Sequence, residues 1–251
     1  MKHRFLTALP VYNEESHVTE VLTEVLHHVQ DVLVVNDGSA DRTATLLSER
    51  FPRVSVVTHA VNQGYGAALR TAFQFAIANN YDCLVTMDCD GQHQPSFLKS
   101  IAALLNDPSG PVDMVSGSRY LETFHDNSRP PEERRAINRR ITTCLNEKLG
   151  LNISDAFCGF KAYRVSSLAK LQITENGYAM PLQLWVQAVD LGWKIREFAV
   201  PLVYLDEARS FGGALDDGTV RLNHYRSVLN DELRRRGMTQ RLTADCGTPA
   251  S

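Results

Sequence analysis

The sequence of 251 residues contains no apolar run that approaches a bilayer span, so we expect no membrane-spanning helix. Neither sign of charge dominates the sequence either. It has 26 Lys and Arg residues and 29 Asp and Glu residues, and this balance excludes a chain that coats nucleic acid through its overall positive charge. The five cysteines never occur as Cys-x-x-Cys, which disfavours a zinc knuckle or a disulfide framework. The N-terminal segment begins with basic residues, but Glu14 and Glu15 interrupt its apolar stretch, so we expect no secretory signal. We expect a soluble protein of the reducing cytoplasm.

What the sequence does contain is a regular alternation of strand and helix patterns in its first part. Its hydrophobic fraction of 43% is enough for a sizeable core. Apolar patterns predict strands at 5–9, 32–35, 54–57 and 84–87, and helices at 15–29, 41–50 and 67–78. This order predicts an α/β fold with a mostly parallel sheet flanked by helices. The turns that follow these strands should meet at the carboxyl edge of the sheet, where ligands bind.

The rest of the chain is less regular. We expect a short strand at 114–117, a loop to residue 131, an extended segment at 193–204, and helices at 132–148, 181–191 and 219–236. The end of the chain, from residue 241, should be frayed.

The sharpest chemical feature is the segment Asp88-Cys89-Asp90-Gly91-Gln92, which follows an apolar strand. Two carboxylates one residue apart at a strand end can approach a single hard cation, and Gln92 can add an oxygen ligand. These ligands suit Mg²⁺ or Mn²⁺ and leave other positions for water and phosphate oxygens. The alternative is a solvated acidic turn. We expect His93 to lie behind these ligands or at the surface.

Two further turns carry candidate binding residues. Asp37 follows the second predicted strand and can accept hydrogen bonds from a nucleobase or a ribose, whereas Asp41 is adequately explained as a helix cap. The segment 62–66 contains Gly64 and Gly66, which allow close approach of the backbone and open a helix whose N-terminus favours anions. Such a pair of glycines is weak evidence by itself.

Taken together, these motifs resemble the family 2 glycosyltransferases of GT-A fold. Within that family the chain is most similar to the dolichyl-phosphate mannosyltransferase and polyprenyl-phosphate glycosyltransferase branch. The motifs that carry the resemblance are LPVYNEE at 9–15, VNDGSADRT at 35–43, NQGYGAALR at 62–70, MDCDGQHQP at 87–95, GSRY at 117–120 and CGFK at 158–161. The resemblance covers residues 4–205.

The resemblance implies a role for residues in each motif. Nucleoside contacts would come from Pro10, Tyr12, Glu14 and Asp37. The diphosphate and its Mg²⁺ or Mn²⁺ would be held by Asp88, Asp90 and Gln92. Further substrate contacts would come from Gly64 and Arg70. Arg119 would face the donor diphosphate or the acceptor phosphate, and Arg209 would lie on a mobile loop that closes over the site.

The implied domain is a GT-A glycosyltransferase domain over residues 1–205. Its nucleotide-sugar-binding part would cover about 1–120 and its acceptor-side part about 121–205. A mobile loop and a C-terminal helix would occupy 206–240, and 241–251 would form a disordered tail.

The sequence departs from the family pattern at four places. Asn36 stands where the second motif has an aspartate, and Tyr65 stands where the third motif has a lysine. Gln183 replaces a glutamate that often follows a Gly-Tyr pair, and Ala214-Leu215 replaces a Ser-Lys pair. None of these changes touches the metal motif.

The leading hypothesis is inverting transfer of a hexose from a nucleotide diphosphate sugar, of the GDP-mannose or UDP-glucose type, to a polyprenyl or dolichyl phosphate. A phosphate acceptor is already anionic, so it needs positive charge rather than a strong base. The segment 128–140 supplies five arginines, of which Arg135 and Arg139 lie one helical turn apart and form the preferred pair. The alternative for this segment is a solvated helix face that pairs with its own glutamates.

Two other functions remain open from the sequence. A hydroxyl acceptor on a soluble sugar or surface glycan would need a carboxylate base, for which Asp155 is the candidate. A non-catalytic nucleotide-sugar-binding subunit would have little use for the metal motif. A lipid acceptor would require peripheral docking at the cytoplasmic membrane face or a membrane partner, with Phe124, Phe211 and the arginines as candidate contacts. No nucleic-acid partner is expected.

Overall fold

The computed structural model describes residues 4–125, 128, 131–203 and 213–242 of the chain. Its strands are β1 (Phe5–Val11), β2 (Val32–Asn36), β3 (Ser55–Thr58), β4 (Cys83–Thr86), β5 (Met114–Ser118), β6 (Lys161–Arg164) and β7 (Ile195–Ala199). Its α-helices are α1 (Val18–His28), α2 (Thr43–Arg50), α3 (Tyr65–Ala78), α4 (Leu98–Ala103), α5 (Glu132–Leu149), α6 (Val165–Leu168), α7 (Met180–Asp190) and α8 (Gly218–Arg235). Short 3₁₀ turns lie at Pro95–Phe97, Leu104–Asn106, Gly213–Asp216 and Thr239–Arg241.

The strands form one seven-stranded sheet in the order β3-β2-β1-β4-β6-β5-β7. β1 pairs in parallel with β2 and β4, β2 pairs in parallel with β3, and β7 pairs in parallel with β5. β6 runs antiparallel to both β4 and β5. The predicted α/β fold with a mostly parallel sheet is therefore confirmed. The carboxyl ends of β1 to β4 lie at one edge of this sheet, as expected.

Helices cover both faces of the sheet. On β2, Leu33 and Val35 pack into one core cluster, while Val32 and Val34 pack into the other, because successive strand residues point to opposite faces. α3, α5, α7 and α8 contribute to the first cluster, and α1, α2 and α4 contribute to the second. Both faces are thus apolar, which leaves the edges of the sheet for polar chemistry.

The sequence patterns did not predict β6 or α4. β6 has four residues and begins with Lys161, whose Nζ donates a hydrogen bond to Ser116 Oγ at 2.6 Å inside the protein. Burial lowers the pKa of this lysine. A buried lysine interrupts the apolar run by which a central strand is recognised, and the six residues of α4 are too few to show a helical repeat.

The long helices α5 and α8 are 18 residues each and carry many charged residues. They pack against each other, and α8 also packs against α7. Within the part of the chain that the structure describes, no helix combines the length and the apolar character needed to cross a bilayer.

The four cysteines that the structure describes fall into two states. Cys83, Cys89 and Cys158 are buried free thiols, in agreement with the expectation from their spacing. Cys144, on α5, is disulfide-bonded, so the expectation of free thiols is wrong at this position. Sequence spacing alone could not reveal this, because a disulfide depends on which segments pack together.

Gln183 lies in a buried hydrogen-bond network between α7 and α8. Its Nε2 donates to Glu232 Oε2 and to Thr174 Oγ1, both at 3.0 Å, and its Oε1 accepts from the backbone N–H groups of Thr174 and Glu175. Glu232 is fully buried and also pairs with Arg235 and Arg236. The departure at Gln183 therefore concerns helix packing, because the amide can donate to a carboxylate that a glutamate would repel.

A second buried network joins the end of β5 to the segment between α5 and β6. Arg119 donates from Nε to Asp155 Oδ2 at 2.7 Å and from its terminal nitrogen to Oδ1 at 3.0 Å, a bidentate pair. Asp155 is fully buried and also accepts from Asn138 Nδ2 at 2.9 Å. Burial by itself raises the pKa of Asp155, but the Arg119 charge and these hydrogen bonds outweigh it and hold the pKa at about 2.

The variant Gln183→Glu should lower the free energy of unfolding by about 1–3 kcal/mol, because it removes two buried donors and sets a second carboxylate against Glu232. Urea denaturation at neutral pH measures this change. The double variant Gln183→Glu with Glu232→Gln restores a donor opposite an acceptor and should recover most of the loss. A single variant as stable as the wild type would contradict the network.

Protonation of Asp155 should destabilise the fold in acid. Its folded-state pKa of about 2 lies below the ordinary value of 3.8, so its contribution is present above about pH 4 and is lost as the pH falls towards 2. The contribution is about 2 kcal/mol. Denaturation at several pH values should show that Asp155→Asn, although less stable at neutral pH, loses less stability on acidification. Parallel pH curves for the two proteins would argue against the pair.

Candidate active site

An open cavity of about 730 Å³ lies at the carboxyl edge of the sheet. Part of its lining comes from residues at or just after the ends of β1, β2 and β4, together with the start of α3. Further lining residues come from α5, α7 and α8 and from the segments around Phe157 and Tyr178. The cavity thus lies where the sequence predicted a ligand site.

Asp88 and Asp90 both line this cavity just beyond β4. Asp88 Oδ1 accepts a hydrogen bond from the Tyr65 hydroxyl at 3.1 Å, and Asp90 Oδ1 accepts from the backbone N–H of Gln92 at 3.0 Å. Cys89, between them, packs in the core and anchors the turn. The side chain of Gln92 lies outside the cavity lining, so the structure brings together two of the three predicted ligands.

The residues packed behind Asp88 restrain the position of its carboxylate. The backbone N–H of Asp88 donates to His93 Nδ1 at 3.0 Å, and His93 Nε2 lies 4.0 Å from Cys158 Sγ. A Cβ at Gly159 would overlap the Asp88 carboxylate, so a larger residue there would displace that carboxylate. His93 therefore lies behind the carboxylate, which is one of the two positions expected from the sequence.

The two carboxylates fit a hard divalent cation. Within the described ranges, no group of three or more His, Cys, Asp and Glu side chains could hold a metal ion by itself. A cation at Asp88 and Asp90 would take its remaining ligands from water and from the phosphates of a substrate, as Mg²⁺ commonly does. The donor set is all oxygen, which suits Mg²⁺ or Mn²⁺.

Four predicted nucleoside contacts also line the cavity: Pro10, Tyr12, Glu14 and Asp37. The carboxylate of Asp37 accepts from the backbone N–H groups of Gln63 and Gly64, at 2.9 and 2.7 Å, and lies 2.6 Å from His59 Nδ1. Asp37 thus ties the turn after β2 to the turn before α3, in addition to facing the cavity.

The turn at 62–66 packs differently from the sequence expectation. A Cβ at Gly64 would overlap the carbonyl oxygen of Asn176, and a Cβ at Gly66 would overlap that of Glu175. The same Asn176 carbonyl accepts from Ala67 N at 3.1 Å near the start of α3. The close approach that the glycines permit is therefore to the chain itself. The N–H groups of Gly64 and Ala67 already donate to Asp37 and to the Asn176 carbonyl, and Gly64 also lines the cavity.

Arg70 is likewise engaged away from the cavity. Its guanidinium donates to Asn176 Oδ1 at 2.8 Å, and it lies outside the cavity lining. The predicted substrate contact at Arg70 is thus replaced by a contact that holds the segment around Asn176 over α3.

The lining of the cavity is rich in arginine. Arg119 belongs to it and is oriented by the buried Asp155, which is itself outside the lining. On α5, Arg135 lines the cavity, whereas Arg139 is 66% exposed and faces Glu132 at 4.0 Å. The preferred pair of the sequence analysis is therefore split, with one member at the site.

Several residues that line the cavity were not assigned a site role from the sequence. They are Tyr65, Arg134, Asn138, Phe157, Tyr178, Arg221 and Tyr225. Tyr65 stacks on Tyr178 and Phe157 stacks on Tyr225, with ring centroids 5.6 and 4.9 Å apart. Arg221 is 3% exposed and lies 3.2 Å from Glu133 Oε1. The periodicity of α8 predicted its apolar face, but no local signal marked Arg221 as part of a site.

Two predicted residues, Arg209 and Phe211, lie outside the described residues. Their roles stay predictions.

Comparison with known proteins identifies the family. The model of "Glycosyl transferase family 2" matches residues 7–172. Undecaprenyl-phosphate mannosyltransferase of Micrococcus luteus is 30% identical over 232 residues, which cover 88% of this chain and 93% of that protein. Polyprenol monophosphomannose synthase of Mycolicibacterium smegmatis is 30% identical over 212 residues, which cover 81% and 78% of the two chains.

Solved structures support the same fold. Glucosyl-3-phosphoglycerate synthase from Mycobacterium tuberculosis in complex with UDP superposes with a TM-score of 0.70 at 21% identity, over 94% of this chain and 81% of that one. The same enzyme with Mn²⁺, UDP and glucosyl-3-phosphoglycerate gives a TM-score of 0.68 at 19% identity, over 94% and 80% of the two chains. At this identity the likeness bears on the fold, which is GT-A-like.

The family match spans more than half of the chain, and two relatives reach 30% identity over most of its length. The chain therefore belongs to glycosyl transferase family 2 and is a glycosyltransferase.

Proposed function

We propose that this enzyme transfers a hexose, with inversion, from a nucleotide diphosphate sugar to a polyprenyl phosphate, with the help of a divalent cation. The observation that carries the proposal is a single cavity whose lining contains two carboxylates, Asp88 and Asp90, together with the arginines Arg119, Arg134 and Arg135. The names of the two 30% identical relatives, an undecaprenyl-phosphate mannosyltransferase and a polyprenol monophosphomannose synthase, support a lipid phosphate acceptor.

The donor would occupy the side near β1, β2 and β4. Its nucleoside would lie against Pro10, Tyr12 and Glu14, with Asp37 close to the base, and its diphosphate would lie near Asp88 and Asp90. When bound there, Mg²⁺ or Mn²⁺ would neutralise charge on the leaving diphosphate. Mn²⁺ in a structurally similar enzyme supports this assignment. The donor would be of the GDP-mannose or UDP-glucose type.

The acceptor phosphate would lie near Arg119, Arg134 and Arg135, which we call the acceptor side of the cavity. Guanidinium groups donate well to phosphate oxygens. Asp155 accepts from Nε and one terminal nitrogen of Arg119, which fixes the guanidinium plane and leaves the other terminal nitrogen to donate to a phosphate. The aromatic rings of Phe157, Tyr178 and Tyr225 would offer an apolar wall to the first part of the lipid. A phosphate oxygen is already negatively charged at neutral pH, so it can attack the anomeric carbon without a strong base.

The same contacts weaken the alternative of a hydroxyl acceptor. Asp155, the candidate base, is fully buried, is paired with Arg119, and has a pKa of about 2. A carboxylate of such low basicity outside the cavity is poorly suited to take a proton from a hydroxyl. A non-catalytic nucleotide-sugar-binding subunit is also less well supported, because both carboxylates line the cavity.

The proposed acceptor also sets where the enzyme works. A polyprenyl chain resides in a bilayer, so catalysis would take place at the cytoplasmic face of a membrane, through peripheral contact or a membrane partner.

The proposal predicts release of nucleoside diphosphate that depends on both lipid phosphate and metal. The purified protein is mixed with Mn²⁺, a panel of GDP- and UDP-sugars, and a short polyprenyl phosphate, and the released GDP or UDP is measured. One donor should give release that stops when either the lipid phosphate or Mn²⁺ is omitted. The matched variant Asp90→Asn should reduce release by at least about 100-fold while the fold is retained.

Other outcomes would overturn parts of the proposal. Release that requires a sugar hydroxyl instead of lipid phosphate would support the hydroxyl alternative. Binding of no nucleotide sugar at all would remove the donor assignment. Normal activity of Asp90→Asn would remove the metal assignment.

The two arginines of α5 should behave differently. Arg135→Ala should raise the KM for polyprenyl phosphate about tenfold, because it removes a charged hydrogen-bond donor from the cavity, with little change in the KM for the donor. Arg139→Ala is the matched control on the same helix face and should leave both values within about twofold, since exposed ion pairs contribute little. Steady-state kinetics distinguishes the two. Equal effects of the two substitutions would contradict the assigned acceptor side.

A further inference from the structure

Tyr65 lines the cavity and contacts both Asp88 and Tyr178. It is the first residue of α3, and its hydroxyl donates to Asp88 Oδ1 at 3.1 Å. Its ring stacks on Tyr178 with centroids 5.6 Å apart and an angle of 18° between the planes. One side chain therefore contacts both a proposed cation ligand and the aromatic wall proposed for the acceptor.

The backbone around Tyr65 is held firmly. The carbonyl of Asn176 accepts from Ala67 N at 3.1 Å, and Gly66 packs so closely on Glu175 that a Cβ would overlap its carbonyl oxygen. The start of α3 is therefore locked under the segment 175–178. The phenol extends from a fixed point, so its hydrogen bond to Asp88 costs little ordering when substrate binds.

Asp88 is held from other directions as well. Its backbone N–H donates to His93 Nδ1, and Gly159 packs against its carboxylate. Those contacts fix the backbone and limit how far the carboxylate can swing, whereas the Tyr65 hydroxyl acts on a carboxylate oxygen directly. Such partners orient a ligand and are commonly worth about 10- to 100-fold in metal affinity or activity.

We propose that Tyr65 is a positioning residue for the sugar transfer: its hydroxyl orients the Asp88 carboxylate towards the cation and the donor diphosphate, and its stacked ring joins that carboxylate to the acceptor side of the cavity. This inference rests on the proposed function.

The chemistry of the phenol suits this role. Tyr65 stands at the position where the family resemblance implies a lysine. An ammonium group there would set a full positive charge beside Asp88 and weaken its attraction for a cation, whereas a neutral hydroxyl orients the carboxylate and leaves its charge in place.

The variant Tyr65→Phe tests the inference, because it removes the hydroxyl and keeps the stacked ring. Binding of Mn²⁺ in the presence of GDP or UDP is followed by the electron paramagnetic resonance signal of free Mn²⁺. The dissociation constant for Mn²⁺ should rise about 10- to 100-fold. In kinetics, the Mn²⁺ concentration at half-maximal rate should rise by a similar factor. The KM for polyprenyl phosphate should stay within about twofold, since the ring is retained.

Tyr81→Phe is the matched control. Tyr81 is partly buried under the guanidinium of Arg4, just before β4 and therefore at the end of that strand away from Asp88. Loss of its hydroxyl should leave Mn²⁺ binding unchanged. Thermal unfolding followed by circular dichroism should give Tyr65→Phe a midpoint close to that of the wild type.

The outcomes separate this inference from the proposed function. If the wild-type protein and Tyr65→Phe bind Mn²⁺ equally tightly, the role of Tyr65 is overturned and the proposed function is not affected. A wild-type protein that binds no Mn²⁺ with either nucleotide would overturn the proposed metal dependence and this role together. Equal weakening in Tyr65→Phe and Tyr81→Phe would also overturn it, because the effect would not come from Asp88.

Discussion

Burial of both faces of the sheet is the constraint on which the rest of this structure depends. The side chains of β2 alternate between two apolar cores, and helices close over each core. No charged ligand can approach a strand through these layers without a large desolvation cost. Polar chemistry is therefore confined to the carboxyl edge, where β1, β2 and β4 end and where Glu14, Asp37, Asp88 and Asp90 lie around one cavity.

The turns at this edge are tied to one another before any ligand arrives. Asp37 accepts hydrogen bonds from the backbone of the turn before α3, and Tyr65, at the start of α3, donates to Asp88 after β4. The turn after β1 is joined to the turn after β2 by reciprocal contacts of Asn13 with Ser39 and Ala40. Because each turn restrains its neighbour, the carboxylates hold their positions without ordering by substrate, which favours binding.

The second half of the chain adds charge of the opposite sign. Arg119 reaches the cavity from the end of β5. The buried Asp155 fixes the orientation of Arg119 and does not itself line the cavity. α5 and α8 add Arg134, Arg135 and Arg221 to the lining of the same cavity. A cavity lined by both carboxylates and guanidinium groups offers contacts for a metal diphosphate and for a second phosphate, which the proposed reaction requires.

The sequence by itself determined the strands and turns of the first part of the chain and the identity of the residues after β1, β2 and β4, because short apolar runs and turn residues are local signals. It could not decide which side of α5 meets the cavity. Arg135 and Arg139 share a helix face, but they lie about 6 Å apart along the helix axis. Only the packing of α5 decides that Arg135 lines the cavity and that Arg139 lies beyond it.

The sequence could not show either that Tyr178, Arg221 and Tyr225 line the cavity. Nor could it show that Gly64 and Gly66 pack against the chain's own segment 175–176. These contacts join residues far apart in sequence, and only the tertiary structure, through the packing of the helices on a shared core, brings them to the cavity.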